Sequence, residues 1–294
     1  MTAPVLSVVI PTRNRREILM TTLRALAKER GIEGGLEVIV ADDGSTDGSA
    51  ELVRGSVFES FSLRVLTLDA GGPARARNRA IAEASADRIL LLGDDTVPVP
   101  NAVSAHLMVA HDREVAVQGR IDWDRKRPIT DTMAFLAPEG PQFWFRGLTD
   151  GGPVPWPQVL GSNLSAPTHW FRTESYDERF TDACMEDTEL AWRWRRRGWS
   201  TVWSELARCY HYHPYDSIEP FLERQWRAGR WARLAVKTNP GMAFKVVIEP
   251  MLTTPWKVVT AGTRKLTGRG RQEDVWDLRC RAAFLRGFFS WGQP

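Results

Sequence analysis

The feature that most constrains this chain is a unit repeated through residues 5–110: an apolar run that stops at a polar turn, then a segment with helical spacing. Val5-Leu6-Ser7-Val8-Val9-Ile10 stops at Pro11-Thr12-Arg13-Asn14, and Ile18, Leu19, Thr22, Leu23 and Leu26 follow at helical intervals within residues 15–30. The run at 36–40 stops at Ala41-Asp42-Asp43-Gly44-Ser45-Thr46-Asp47-Gly48, where Ser45 or Thr46 can cap a helix through Leu52 and Val53. The run at 63–68 stops at Asp69-Ala70-Gly71-Gly72-Pro73 before a small-residue helix over 74–86. Ile89-Leu90-Leu91-Leu92 stops at Gly93-Asp94-Asp95 before a helix over 101–110. Strands alternating with helices in this way require right-handed crossovers and predict an α/β fold with a mainly parallel sheet.

In such sheets ligands bind beyond the carboxyl ends of the strands. Thr12, Arg13 and Asn14, then Asp42 and Asp43, then Asp69, then Asp94 and Asp95 all follow strand ends, so the spacing predicts an acidic crevice along one edge. Adjacent carboxylates repel unless a cation or hydrogen-bond donors offset them. No Gly-x-Gly-x-x-Gly follows the first strand and no Gly-Lys-Ser/Thr loop occurs, so a phosphorylated ligand here calls for a metal bridge.

A length of 294 residues suffices for one large α/β domain with an appendage. No stretch reaches the roughly 20 apolar residues of a spanning helix. The chain opens directly on a strand-like segment without a basic leader, from which a cytoplasmic location is expected. Cys184, Cys209 and Cys280 are far apart and match neither a disulfide framework nor a zinc spacing. A net charge of +3 does not argue for nucleic acid. Arginines and lysines instead cluster late, at 193–197, 224–237 and 264–271, among many of the tryptophans.

Beyond a further strand at 115–121, residues 122–160 are rich in Pro, Gly and aromatics. Phe143-Trp144-Phe145 and Trp156 either stack on a sugar face or pack the loop onto the core. Glu186 and Asp187 open a helix that continues through Leu190 and Trp194 to Gly198; acids there are good dipole partners as well as candidate functional groups. After a strand at 199–203, His211-Tyr212-His213 puts two histidines on one face of extended chain, as metal ligands or as packing. A helix follows over 218–236. Residues 242–262, apolar with Trp256 and followed by basic residues, suit a helix in a membrane interface, a cap on the catalytic domain or a homodimer contact.

Together these segments resemble the family 2 glycosyltransferases, inverting nucleotide-sugar enzymes with the GT-A fold. The resemblance rests on Val8-Val9-Ile10-Pro11-Thr12-Arg13-Asn14, Val40-Ala41-Asp42-Asp43-Gly44-Ser45, Gly71-Gly72-Pro73-Ala74-Arg75-Ala76-Arg77-Asn78, Leu92-Gly93-Asp94-Asp95, Gly161-Ser162-Asn163 and Glu186-Asp187-Thr188-Glu189-Leu190. It implies a catalytic domain over 1–215, with a nucleotide part at 1–120 and an acceptor part at 121–215, and a C-terminal helical region over 216–294. It implies a nucleoside-diphosphate sugar donor, UDP or dTDP ahead of GDP, bound by Pro11, Thr12, Arg13, Asn14, Asp43, Gly72, Arg77 and Asp94. It further implies Mg²⁺ or Mn²⁺ on Asp95 with His213, Asp187 as general base, and Asn163, Trp156 and Glu186 near the sugar or acceptor. The acceptor would be a glycan, a lipid-linked intermediate or a small molecule, the lipid-linked one consistent with a protein peripheral at the inner face of the membrane.

Two places depart from the family pattern. The acid usual two places before Asp95 is Gly93 here. The Gln-x-x-Arg-Trp signature of polymer-making members is not met, since Gln225 is followed by Trp226-Arg227-Ala228-Gly229-Arg230-Trp231; transfer of a single sugar is expected. Gly93 keeps open the alternative of a non-catalytic nucleotide-sugar or glycan binding protein on the same scaffold. A nucleotidyltransferase would open on a Gly-rich loop, and residues 5–14 contain no glycine.

Overall fold

The computed structural model describes residues 4–30, 32, 34–111 and 113–290. In chain order the elements are β1 (Leu6–Thr12), α1 (Arg16–Leu26), β2 (Leu36–Asp43), α2 (Ser49–Arg54), β3 (Phe61–Leu68), α3 (Pro73–Glu83), β4 (Arg88–Leu92), β5 (Thr96–Pro98), α4 (Ala102–Ala110), β6 (Ala116–Asp122), α5 (Asp131–Leu136), β7 (Asn163–Pro167), α6 (Thr168–Thr173), α7 (Glu186–Arg196), β8 (Thr201–His211), α8 (Glu219–Thr238), α9 (Glu249–Leu266) and α10 (Gln272–Phe289). The strands form one mixed sheet in the order β3-β2-β1-β4-β7-β6-β8-β5. The β3-β2-β1-β4 half is parallel, as the repeated unit requires; β7 runs antiparallel to both β4 and β6, β8 pairs parallel to β6, and β5 antiparallel to β8.

Period-two alternation divides the core between the faces of the sheet. Val8 and Ile10 pack with Leu19, Leu23 and Leu26 of α1 on one side, while Val9 and Leu91 pack with Ala74, Ala76 and Ala80 of α3 on the other. The second cluster runs on without a break through Trp170, Trp194 and Trp203 to Phe221 and Trp231 of α8 and Trp276 and Cys280 of α10. α8 and α10 lie close because each offers a glycine to the other. A methyl group on Gly229 would fall on the Phe284 carbonyl, and one on Gly287 on the Trp226 carbonyl.

One connection shapes the site. β4 lies mid-sheet and β5 at the far edge, yet only Gly93, Asp94 and Asp95 separate them. Three residues reach about 11 Å at most, far less than four strand spacings. The sheet therefore curls until the β8 edge meets the end of β4, with Thr96 paired to His211.

Candidate active site

The curl closes the acidic edge around Asp94 and Asp95. Thr12 Oγ1 at the end of β1 donates to Asp94 Oδ2 (2.8 Å), and Thr22 of α1 donates to the Asp94 carbonyl (2.7 Å). Asp95 Oδ2 accepts from Arg15 Nη1 (2.9 Å), while His211 Nε2 lies 3.4 Å from Oδ1 and His213 Nδ1 3.9 Å from Oδ2. Burial and the neighbouring Asp95 charge push Asp94 up to about 7. Asp95 is buried too, but His211, Arg15 and His213 more than offset that and hold its carboxyl well below the usual carboxylate range. Burial, with His211 and Arg15 alongside, lowers His213 to about 4 and leaves a neutral imidazole at neutral pH, the form that ligates metal.

Asp42 and Asp43 end β2. The Asp43 carboxylate accepts from the backbone amides of Gly71 (2.7 Å) and Gly72 (2.9 Å), tying the β3–α3 loop to the sheet. Gly72 has φ +89 and lies so close to the Thr181 backbone that no side chain fits. Asn14, with φ +53, pins the first loop to the second: its Oδ1 accepts from the Thr46 amide (2.8 Å) and its own amide donates to Ser45 Oγ (2.9 Å). Pro11 is half-buried in β1 beside Ala41, and Arg13 is exposed directly after β1.

A second cluster forms where α7 begins. Asp187, its side chain 14% exposed, accepts from the Tyr176 hydroxyl at 2.9 Å, and Arg77 Nη1 lies 3.7 Å from the same oxygen. Arg77 donates to Glu186 Oε1 (2.9 Å). Burial and the adjacent Asp187 push Glu186 up to about 7 against the pull of Arg77. Burial would lower Arg77, but Asp187, Tyr176 and Glu186 outweigh it and hold the guanidinium charged. The two clusters flank one short stretch of chain. Gly93 donates to the Ser162 carbonyl (3.0 Å), and Gly161, next along, lies so close to Asp187 that a Cβ on it would fall on the carboxylate.

Several predicted site residues have other surroundings than the sequence suggests. Asn163 is 1% exposed: it accepts from His106 Nε2 (2.9 Å) and donates to the carbonyls of Arg120 and Ala207, so its amide fastens β7 into the sheet. Glu186 is buried and accepts from Arg77. Trp156 stacks edge-on against Trp192 (5.0 Å) in a groove of about 510 Å³ also lined by Arg195, Trp199 and Phe244. Trp192 and Asp187 are five residues apart on α7, about 140° around the helix, so this groove lies off the Asp187 face. Gly93 has a packing reason: a Cβ there would lie 2.6 Å from Thr96 Oγ1.

Two residues of the site were not expected from the sequence. Arg15 precedes α1 and reaches across the crevice to Asp95 and to His213 Nδ1 (3.4 Å). Arg224 of α8 bonds Tyr215 and brings its charge beside Glu186 and His213. Arg15 directly follows the Thr12-Arg13-Asn14 turn, a usable signal; Arg224 has none, being one arginine among many on its helix.

Among the described residues no three His, Cys, Asp or Glu side chains are gathered closely enough to hold a metal unaided. Magnesium-type sites usually take one or two carboxylates and leave the remaining positions to substrate phosphates and water. A carboxylate kept charged beside a neutral imidazole, Asp95 with His213, fits a divalent ion that arrives with a diphosphate.

The sequence pattern of glycosyl transferase family 2 matches residues 7–178. The chain belongs to this family. Validoxylamine A glucosyltransferase of Streptomyces hygroscopicus subsp. limoneus is 29% identical over 224 residues, covering 66% of this chain and 49% of its own length; the chain thus spans about half of that relative. A Pyrobaculum calidifontis mannosyltransferase, solved with GDP-mannose and Mn²⁺, superimposes with a TM-score of 0.68 at 15% identity over 97% of this chain and 86% of its own. Residues 1–349 of Staphylococcus aureus TarS, solved with UDP-GlcNAc, give a TM-score of 0.54 at 17% identity over 96% and 89%. The mixed sheet with its flanking helices is the GT-A fold these glycosyltransferases share.

Proposed function

We propose that this family 2 protein transfers a single sugar from a nucleoside diphosphate to an acceptor hydroxyl with inversion. The observation that carries the reading is Asp187, a partly exposed carboxylate held by Tyr176 and separated from the Asp94–Asp95 acids only by Gly161 and Ser162. Asp187 takes the proton of the acceptor hydroxyl as that oxygen attacks the anomeric carbon, and the bond to the diphosphate breaks on the opposite face. Tyr176 keeps the carboxylate turned toward the acceptor. Thr12, Arg13 and the Asp43-braced glycine loop form the nucleoside side, and Arg15 and Arg224 supply positive charge toward the diphosphate. Mg²⁺ or Mn²⁺ on Asp95 and His213 would offset the charge gathered by the departing nucleoside diphosphate.

UDP and dTDP are the preferred donors in this reading; the two complexes above carry different nucleotides, so the base is a matter for measurement. Gly93, accounted for by Thr96, no longer speaks for a non-catalytic scaffold. Thermal shifts with UDP, dTDP and GDP, each with and without Mn²⁺, come first: a metal-dependent rise with one nucleotide is expected. Asp187→Asn should then lower kcat by about 10³-fold or more while that nucleotide shift persists. Unchanged turnover in the Asn variant would rule out the base assignment.

A further inference from the structure

Helix α9 wears its apolar side outward. None of its residues is buried, and the side facing α10 is polar: Lys257 pairs with Asp277 (2.8 Å), Arg264 with Asp274 (2.6 Å), and Arg281 donates to Thr253 (3.3 Å). The opposite side carries Met251, Leu252, Trp256, Val258, Val259 and Leu266, all exposed, Leu252 to 68% and Trp256 to 71%. At helical geometry these six fall within an arc of roughly 160°, and the α10 contacts lie on the reverse. Phe244 and Ile248, in the π-turn that leads into α9, extend the exposed strip. A helix serving only to cap the protein would turn that arc inward; a contiguous outward strip of this kind marks an interaction surface.

Charge selects what covers it. Lys265, Arg269 and Arg271 are exposed at the C-terminal end of the strip and, among the described residues, pair with no carboxylate. The acid at the other end, Glu249, is taken by Lys245 (2.7 Å). A second copy laid on this face would bring the same strip and the same cations, leaving the charges unanswered. An anionic lipid layer answers both the apolar arc and the cations.

We propose that α9 seats the protein on an anionic lipid surface, with Leu252 and Trp256 at the acyl boundary and Lys265, Arg269 and Arg271 among the headgroups. The proposal does not depend on the reaction assigned to the crevice. The test is flotation of the full chain with vesicles of phosphatidylcholine alone and of equal parts phosphatidylcholine and phosphatidylglycerol. Binding is expected to the anionic vesicles, weakened by salt, and lost in Leu252→Ser/Trp256→Ser, whose exposed positions leave the melting temperature unchanged. Lys265→Gln/Arg269→Gln/Arg271→Gln should lower partitioning about a hundredfold. Failure of the wild-type protein to float, or undiminished flotation of the serine variant, overturns the proposal. A protein that does not float but sediments as a dimer, made monomeric by the serine substitutions, would show that a second copy covers this face.

Discussion

Asp187 owes its position to a residue without a side chain. Because a Cβ on Gly161 would fall on the Asp187 carboxylate and 2.8 Å from the Tyr176 hydroxyl, any side chain there pushes the acid off its hydrogen bond. Gly161→Ala is expected to lower kcat about 10²-fold, the cost of a misplacement near 1 Å, with nucleotide affinity within about twofold of wild type; a proportionate loss of both in steady-state and binding assays would refute it. Tyr176→Phe keeps the ring and removes only the donor, so a smaller loss in kcat, about tenfold, is expected from the same assays. The candidate acids were legible in the sequence because carboxylates directly after apolar runs are conspicuous. Arg224 was not, since which arginine of α8 faces the crevice depends on helix rotation and on the curl of the sheet. The packing of Asn163 was not legible, because its hydrogen-bond partners His106, Arg120 and Ala207 lie far away in the chain.

The packing around Asn163 gives the β7 element a pH signature. His106 of α4 is buried between Asn163 Oδ1 (2.9 Å) and Ser165 Oγ (3.1 Å), and burial lowers it to about 4. Its folded value lies below the unfolded one, so the folded state binds fewer protons; the stability is fully present above the ordinary histidine range and drains away as pH falls toward 4. Because Asp94 and Glu186, raised to about 7, gain stability over the same range, the His106 term is read as a difference: in urea titrations the wild type should lose about 1 kcal/mol relative to His106→Gln between about pH 7 and 5.5. An unchanged slope in that variant would assign the acid sensitivity elsewhere. Among the elements, the parallel half was legible from its repeated apolar runs. β7 was not, because Asn163, Ser165 and Pro167 break the apolar pattern while the neighbouring strands bury them. In α10 the basic residues mask Trp276, Cys280, Ala283 and Gly287, which recur at intervals of four, three and four and all face the core.

For the whole molecule, the apolar cluster that links the sheet to α8 and α10 bears on cooperativity. The sequence suggests a division near residue 215, but Phe221, Trp231 and Trp276 share one continuous core with Trp170 and Trp203. Calorimetry should therefore show one transition, with van't Hoff and calorimetric enthalpies equal; two resolved transitions would support two separately folding parts. The fold class was legible because alternating strands and helices leave few topologies. The return of the sheet on itself was not, because it follows from strand order and not from any local pattern.

The three residues between β4 and β5 also fix an order of events in time. Asp94 and Asp95 leave the middle of the sheet early in the chain, yet His211 and His213 reach them only after the β8 edge has closed, more than a hundred residues later. Contacts that span so much sequence form late, after shorter loops have closed. A nascent or truncated chain ending before β8 would keep Arg15 beside Asp95 but lack its two histidine neighbours. In the reading proposed above, the groups that would face the diphosphate are completed late in folding, and strain that opens the β5–β8 seam separates Asp95 from His211 and His213.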